Sequence, residues 1–387
     1  MTTHRWMGVG QSADPDATTA GRTAATAALT GADARLLVVF CSDSYDLDEL
    51  LDGVTGVAGD VPLVGCSTAG EIAQHGPADR SVVVTAFGGD GFAVETAVAT
   101  GVATRLRAAG AEVAGALRAV PGKPHQVLLL LTDGLAGNQQ EIVRGAYGVA
   151  GAAVPLVGGC AGDDLRMRAT RQFRGRTVHG DAIVAAALSS DAPFGIGVHH
   201  GWRTVGEPML VTKSGGNRVH LLDDKPALDV YLDGLDAPDD ARHDPAAFTR
   251  FALTHPLGLS RRSPEPQVRL VAEADFADRS LGCIAEVPQG GLTWFMEGDA
   301  ATVLDATDRA GADALAGLGG APPIGLLAFD CIARREVLGG GIDAEVARLA
   351  ALAGGAPVAG FYTYGEIART HGSSGFHNQT LVVLAVS

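Results

Sequence analysis

A short phrase occurs three times in this chain, and no other feature restricts its possible folds as much. It reads Pro62-Leu-Val-Gly-Cys-Ser-Thr-Ala-Gly-Glu71, then Pro155-Leu-Val-Gly-Gly-Cys-Ala-Gly-Asp-Asp164, then Pro357-Val-Ala-Gly-Phe-Tyr-Thr-Tyr-Gly-Glu366. In each copy a short apolar run breaks at glycine, and an acid stands nine positions after the proline. Repetition on this scale means that one supersecondary unit is built several times.

The flanks repeat too. Apolar runs precede the three copies at Leu36–Cys41, Val127–Thr132 and Ile324–Phe329. Each run is followed by apolar residues at helical spacing: Leu47, Leu50, Leu51 and Val54; Ile142, Val143, Ala146 and Val149; Ile342, Val346, Leu349 and Leu352. A further apolar run follows each acid, at Val82–Phe87, Ala182–Leu188 and Leu381–Val386. Continuous apolar runs read as buried strands, and the i, i+3/i+4 spacing reads as a packed helix. The unit is therefore strand, helix, strand, turn, strand. Buried strands joined by helices predict an α/β protein with mixed, largely parallel sheets covered by helices.

At 387 residues, 47% of them hydrophobic, the chain is long enough for two domains. A division near residue 215 gives units of 1–215 and 216–387. The net charge of −15 argues against nucleic acid as the main partner, because phosphate binding needs a basic face. No apolar run reaches the roughly 18 residues of a membrane span. The start, Met1-Thr-Thr-His-Arg-Trp6, has no hydrophobic signal core. Five cysteines without a Cys-x-x-Cys pair fit reduced thiols and a cytoplasmic location.

Several smaller elements are also predicted. Trp6–Gly10 reads as a strand. Asp14-Pro15 opens a helix that ends at Gly31. A hairpin turns at Gly215-Gly216, a helix covers Pro226–Tyr231, and residues 234–266 read as loop or an inserted flap.

The ordered motifs resemble the FIST family over almost the whole length. The resemblance rests on Gly8-Val-Gly10, Ala20-Gly21, Val64–Glu71, Gly158–Arg166, His200-Gly-Trp202, Gly206-Glu-Pro208, Pro226–Tyr231, Gly360–Ile367 and His377-Asn-Gln-Thr380. It implies FIST N-terminal and C-terminal domains acting together as an intracellular sensory module for small ligands, amino acids being the usual suggestion. In many members the module is fused to an output such as a kinase, a cyclic-dinucleotide enzyme or a chemoreceptor. Without one here, the resemblance implies signalling to a separate protein. A subset resembles haem-bound nitric-oxide sensors, and His200 and His377 are the axial candidates for haem.

Ligands in α/β sheets settle beyond the carboxyl ends of strands, where all three phrases lie. Candidate ligand-binding residues are therefore Ser67, Thr68, Glu71, Asp163, Asp164, Arg166, Tyr362, Tyr364, Glu366 and Asn378. The alternative is that the glycines make tight corners and the acids cap them. Alternation along the third phrase puts Phe361 in the core, Tyr362 and Tyr364 together on a ligand face, and Glu366 at a loop rim. Cys41, Cys66, Cys160 and Cys331 fall at strand ends and read as buried thiols. Arg166, Arg168, Arg171, Arg174 and Arg176 suit a solvated hairpin in an arginine-biased chain, and only Arg166 adjoins a repeated acid. His371 reads as an exposed loop residue. An enzymatic alternative would use Ser67 or Cys66 as a strand-end nucleophile, but there is no Gly-x-Ser-x-Gly elbow, no H-E-x-x-H and no P-loop.

Overall fold

The structure is a computed structural model that describes residues 4–74, 76–260, 266–370 and 375–387, so His371 lies outside the described residues. The first unit contains β1 (Trp6–Ser12), α1 (Ala17–Ala28), β2 (Ala34–Cys41), α2 (Leu47–Ala58), β3 (Leu63–Ser67), the hairpin β4 (Glu71–Ala73) and β5 (Gly76–Ala78), and β6 (Val82–Gly88). The second repeats it with β7 (Phe92–Thr100), α3 (Leu106–Val113), α4 (Ala116–Ala119), β8 (His125–Thr132), α5 (Gln139–Ala150), β9 (Leu156–Cys160), the hairpin β10 (Gln172–Arg174) and β11 (Thr177–His179), and β12 (Ala182–Ser190).

The third unit begins with β13 (Phe194–His199) and is then interrupted. The interruption holds β14 (Arg203–Gly215), β15 (Arg218–Leu222), β16 (Lys225–Pro226), α6 (Ala227–Gly234), α7 (Pro245–Ala252), β17 (Leu257–Leu259), β18 (Gln267–Arg269), β19 (Val271–Asp275), β20 (Ser280–Cys283) and β21 (Leu292–Glu297). The unit resumes with α8 (Ala300–Ala316), β22 (Gly325–Cys331), α9 (Ile332–Leu338), α10 (Ile342–Ala353), β23 (Val358–Thr363), the hairpin β24 (Glu366–Arg369) and β25 (Phe376–His377), and β26 (Leu381–Val386).

The strand orders reveal a cyclic exchange. The three repeat sheets run β1-β6-β2-β3-β10-β11, β7-β12-β8-β9-β24-β25 and β13-β26-β22-β23-β4-β5. Each sheet is its own unit's four strands completed by another unit's hairpin: the second lends to the first, the third to the second, and the first to the third. The central pairs β2/β3, β8/β9 and β22/β23 are parallel, as the repeat predicts, and the flanking pairs are antiparallel.

Both faces of each sheet are buried. Along β2, Leu36, Val38 and Phe40 point to a core shared by the three sheets, while Leu37, Val39 and Cys41 point to the helices. Phe361 reaches the shared core as expected, with ring centroids 4.6 Å from Phe40 and 5.8 Å from Phe329. The outer layer is α1 and α2 on the first sheet, α3 and α5 on the second, and α8 and α10 on the third. Glycines set the approach of α1 and α2: a Cβ at Gly21 would lie 2.2 Å from the Leu50 carbonyl oxygen, and one at Gly53 would lie 2.1 Å from that of Thr18. Any side chain there would push the helices apart.

The interruption forms a separate sheet with its own core, in which Tyr231, Phe248, Leu257 and Leu281 pack together. The sequence-based division near residue 215 falls at the turn between the paired strands β14 and β15, inside the interruption. The hairpin at Gly215-Gly216 and the helix after Pro226 form as predicted. Residues 234–266, which show little periodicity, nevertheless carry α7 and β17, because Phe248 and Ala252 pack under Tyr231. Among the described residues no helix is long and apolar enough to cross a membrane.

Candidate functional site

The three phrases end at the same end of the three-sheet body, and backbone hydrogen bonds join their corners. Gly162 donates to the Ser67 carbonyl, Ala69 to that of Tyr362, and Tyr364 to that of Cys160. From here the corners diverge in chemistry.

Corners one and three share one design. Thr68 Oγ1 donates to Glu71 Oε1 at 2.5 Å and accepts from the Gly70 amide; Thr363 Oγ1 does the same with Glu366 Oε1 and Gly365. The second carboxyl oxygen accepts from the return corner, from the Ser81 amide and hydroxyl in one case and the Thr380 amide in the other. Both glutamates are fully buried. Burial pushes each up to about 8, against the lowering pull of the Thr68 and Ser81 or Thr363 and Thr380 bonds. Glu366 therefore does not lie at a loop rim. It begins β24, opposite Gly159 of the second sheet, and the borrowed hairpin seals it in.

Ser67 is likewise consumed by the corner. It is fully buried, donates to the Gly162 carbonyl at 2.7 Å and accepts from the Arg171 amide at 2.9 Å. Cys66 faces the shared core, where burial raises its thiol well above the usual range. In this geometry neither is presented as a nucleophile. All five cysteines are free and buried.

Corner two departs from the design because β10 starts at Gln172, leaving residues 161–171 as a long loop. Asp163 anchors that loop. Its carboxylate accepts from the amides of Met167, Arg168 and Ala169 and from the Tyr364 hydroxyl at 2.5 Å. Burial pushes it up, but these donors outweigh burial and hold it below the usual carboxylate range. Asp164, Leu165 and Met167 take φ of 54°, 61° and 52°, so the loop turns outward through left-handed residues.

The outward turn places Asp164 and Arg166 in a cleft of about 330 Å³ that they share with Ser44, Asp79 and Arg80. Asp164 Oδ2 accepts from Ser42 Oγ at 3.0 Å. Burial raises Asp164, and Asp79 and Asp163 add to the rise. Arg166 pairs with Asp43 and lies 3.8 Å from Asp164. Arg335 grips Asp79 with two hydrogen bonds, of 2.7 and 2.9 Å, and lowers it. The guanidinium of Arg80 makes no hydrogen bond or ion pair among the described residues. The cleft thus has an available cation facing a carboxylate in a partly desolvated setting.

The tyrosines separate. Tyr364 is half-buried on the Asp163 anchor. Tyr362 is fully buried on the helix-facing side of its sheet, with the Arg335 guanidinium 4.9 Å from its ring centroid. Beside it Arg334 bonds both Asp330 and Glu345, a sealed ionic cluster that no repeat of the phrase announces. The shared ligand face expected of the tyrosines fails because α9 and α10 cover the sheet there. Asn378 is also buried, at the return corner.

Neither His200 nor His377 presents an Nε2 lone pair to a haem iron. His377 Nε2 lies 3.0 Å from the Ala368 carbonyl, and burial pushes the ring down to about 4. His200 Nδ1 accepts from the Trp202 amide, so a neutral ring carries its proton on Nε2 and has no lone pair there for iron. Among the described residues no group of three or more His, Cys, Asp or Glu could hold a metal ion.

Ser44, Asp79, Arg80 and Arg335 were missed from the sequence. A signal for two of them existed. Val82, Ile183 and Leu381 occupy equivalent ladder positions, so Arg80, Asp181 and Gln379, each two residues earlier, are also equivalent; their φ values are 52°, 47° and 52°. By that alignment Asp79 corresponds to Asn378, which the sequence did single out.

The FIST N domain matches residues 35–225, and the FIST C domain matches residues 227–369. An uncharacterized protein of Mycobacterium tuberculosis is 28% identical over 389 residues, covering 97% of each chain. An uncharacterized protein of Mycobacterium bovis is 27% identical over 392 residues, again covering 97% of each. With both domain families matched in order over nearly its whole length, the chain belongs to the FIST family, whose domains are associated with sensory, ligand-binding roles.

Proposed function

We propose that the protein is a sensor of a small zwitterionic, amino-acid-like ligand that binds in the corner-two cleft, and that it passes occupancy to a separate signalling protein. The observation that carries this reading is that Arg80, whose guanidinium makes no hydrogen bond or ion pair among the described residues, shares a space of about 330 Å³ with Asp164 and already pulls against the burial-driven rise at its carboxyl. An α-amino acid carries a carboxylate and an ammonium a few ångströms apart. Arg80 can take the carboxylate in a forked hydrogen bond, and Asp164 can take the ammonium. The volume is at the small end of ligand sites, which suits an amino acid better than a larger metabolite. Arg166 links the cleft to the exposed loop that bears Leu165 and Met167, so a ligand that draws Arg166 from Asp43 would move a surface that a partner can read.

Titration calorimetry with the twenty amino acids tests the reading. Saturable binding of at least one is expected, weakened tenfold or more by Arg80→Gln and by Asp164→Asn. Binding that neither substitution changes would place the ligand elsewhere.

A further inference from the structure

The opposite end of the three-sheet body holds a second cavity with different chemistry. It lies in the seam where β1 of the first unit passes the amino ends of β22 and β23 of the third, and its volume is about 600 Å³. Leu315, Pro322, Ile324, Leu352 and the Trp6 ring make an apolar wall, and Arg5 is the only charged residue among the described residues of the lining. Arg5 Nε is sealed from solvent without an acceptor, and its guanidinium makes no hydrogen bond or ion pair among the described residues. The nearest acid along the turn, Asp90, accepts from the His4 amide instead.

The cyclic design supplies an internal control. The equivalent seam between the first and second units holds a cavity of about 560 Å³, where β7 passes the amino ends of β2 and β3. That cavity is lined by both Arg35 and Asp60, so an acid as well as a cation stands in its wall. Among the described residues, the lining at Arg5 includes no acid. A partly desolvated guanidinium against apolar walls lacks the anion that would satisfy it.

We propose that the seam cavity at Arg5 and Trp6 binds a small carboxylate with an apolar body. The carboxylate bonds Arg5, and the hydrocarbon lies along Trp6, Leu315 and Leu352. The site is separate from the cleft at Asp164 and does not depend on what binds there. Trp6 gives a local readout, because its indole is held by a 2.8 Å hydrogen bond to the Ala32 carbonyl.

Octanoate and octanol are the probes. Each is titrated into ¹⁵N-labelled protein while the Trp6 indole N–H resonance, assigned by its loss in Trp6→Phe, is followed. Octanoate should shift it saturably, octanol should bind at least tenfold more weakly, and Arg5→Gln should remove that preference. Ala321→Phe, which fills the cavity without touching Arg5, should abolish the shift, while Asp164→Asn should leave it unchanged. Equal affinity for the two probes, or undiminished octanoate binding in Arg5→Gln, overturns the carboxylate assignment. The absence of any saturable shift with either probe overturns the site.

Discussion

Corners one and three and corner two begin from the same phrase and end in opposite roles. At Glu71 and Glu366 the hairpin follows at once, enters a neighbouring sheet, and closes the acid inside a ring of hydroxyl and amide donors. At Asp164 the hairpin is delayed, the preceding Asp163 takes over as anchor, and the repeated acid turns out into a cleft. The difference teaches that repetition sets the geometry of a corner, while the spacing to the next strand decides whether its acid is sealed inside the fold or turns out into a cleft.

The largest effect that could break this comparison is the pH dependence of stability. Glu71 and Glu366 titrate near 8 in the folded protein and near the usual carboxylate value when unfolded. Folded values raised above the unfolded ones give stability that is complete below about pH 4.5 and is eroded as the pH rises to about 8. Each tenfold difference in proton affinity between the folded and unfolded chain is worth about 1.4 kcal/mol, so the loss over that window should reach several kcal/mol. In urea denaturation the stability of the wild type should therefore fall, relative to that of a Glu71→Gln/Glu366→Gln variant, as the pH rises, and their difference isolates these two acids. Parallel pH profiles would show that the corners do not hold neutral carboxyls.

Next in size, Glu366→Ala should lower stability by about 3 kcal/mol, because it strands the buried Thr380 amide and opens a void. Asp164→Ala should change stability by less than about 0.5 kcal/mol, as a surface substitution. Equal losses in urea denaturation would erase the distinction. Asp163→Ala should cost about 2 kcal/mol, since three loop amides lose their acceptor. It should also expose Arg166 and Arg168 to trypsin, and an unchanged cleavage rate would show that the loop does not depend on this anchor. A smaller loss than at either Glu366 or Asp163 is expected for Arg335→Met: about 0.5–1 kcal/mol in the same denaturation, because its partner Asp79 is well exposed. A larger loss would mean that the contact with Tyr362 matters more than the ion pair.

Much of the fold was legible because the evidence for it is local. Buried strands and packed helices declare themselves through apolar runs and spacing, so β2/β3 and β22/β23 could be paired in advance. The hairpin exchange was not legible, because nothing within residues 62–88 states which sheet β4 will join. That gap hid the burial of Glu71 and Glu366, since their cover comes from another unit. Tyr362 was misjudged for a related reason: strand alternation gives two faces but not which of them α9 and α10 will cover. Asp164 and Arg166 could be singled out because they adjoin the phrase, whereas Asp79 and Arg80, which line the same cleft, belong to a return corner visible only once the three units are aligned from their ladders.

Calorimetric titration of the amino-acid panel into wild type, Asp164→Asn and Glu366→Gln tests the division of roles most directly. The account predicts at least one amino acid that binds the wild type and Glu366→Gln with similar affinity and Asp164→Asn at least tenfold more weakly. Binding lost in Glu366→Gln but kept in Asp164→Asn, or no binding by any amino acid, would contradict it.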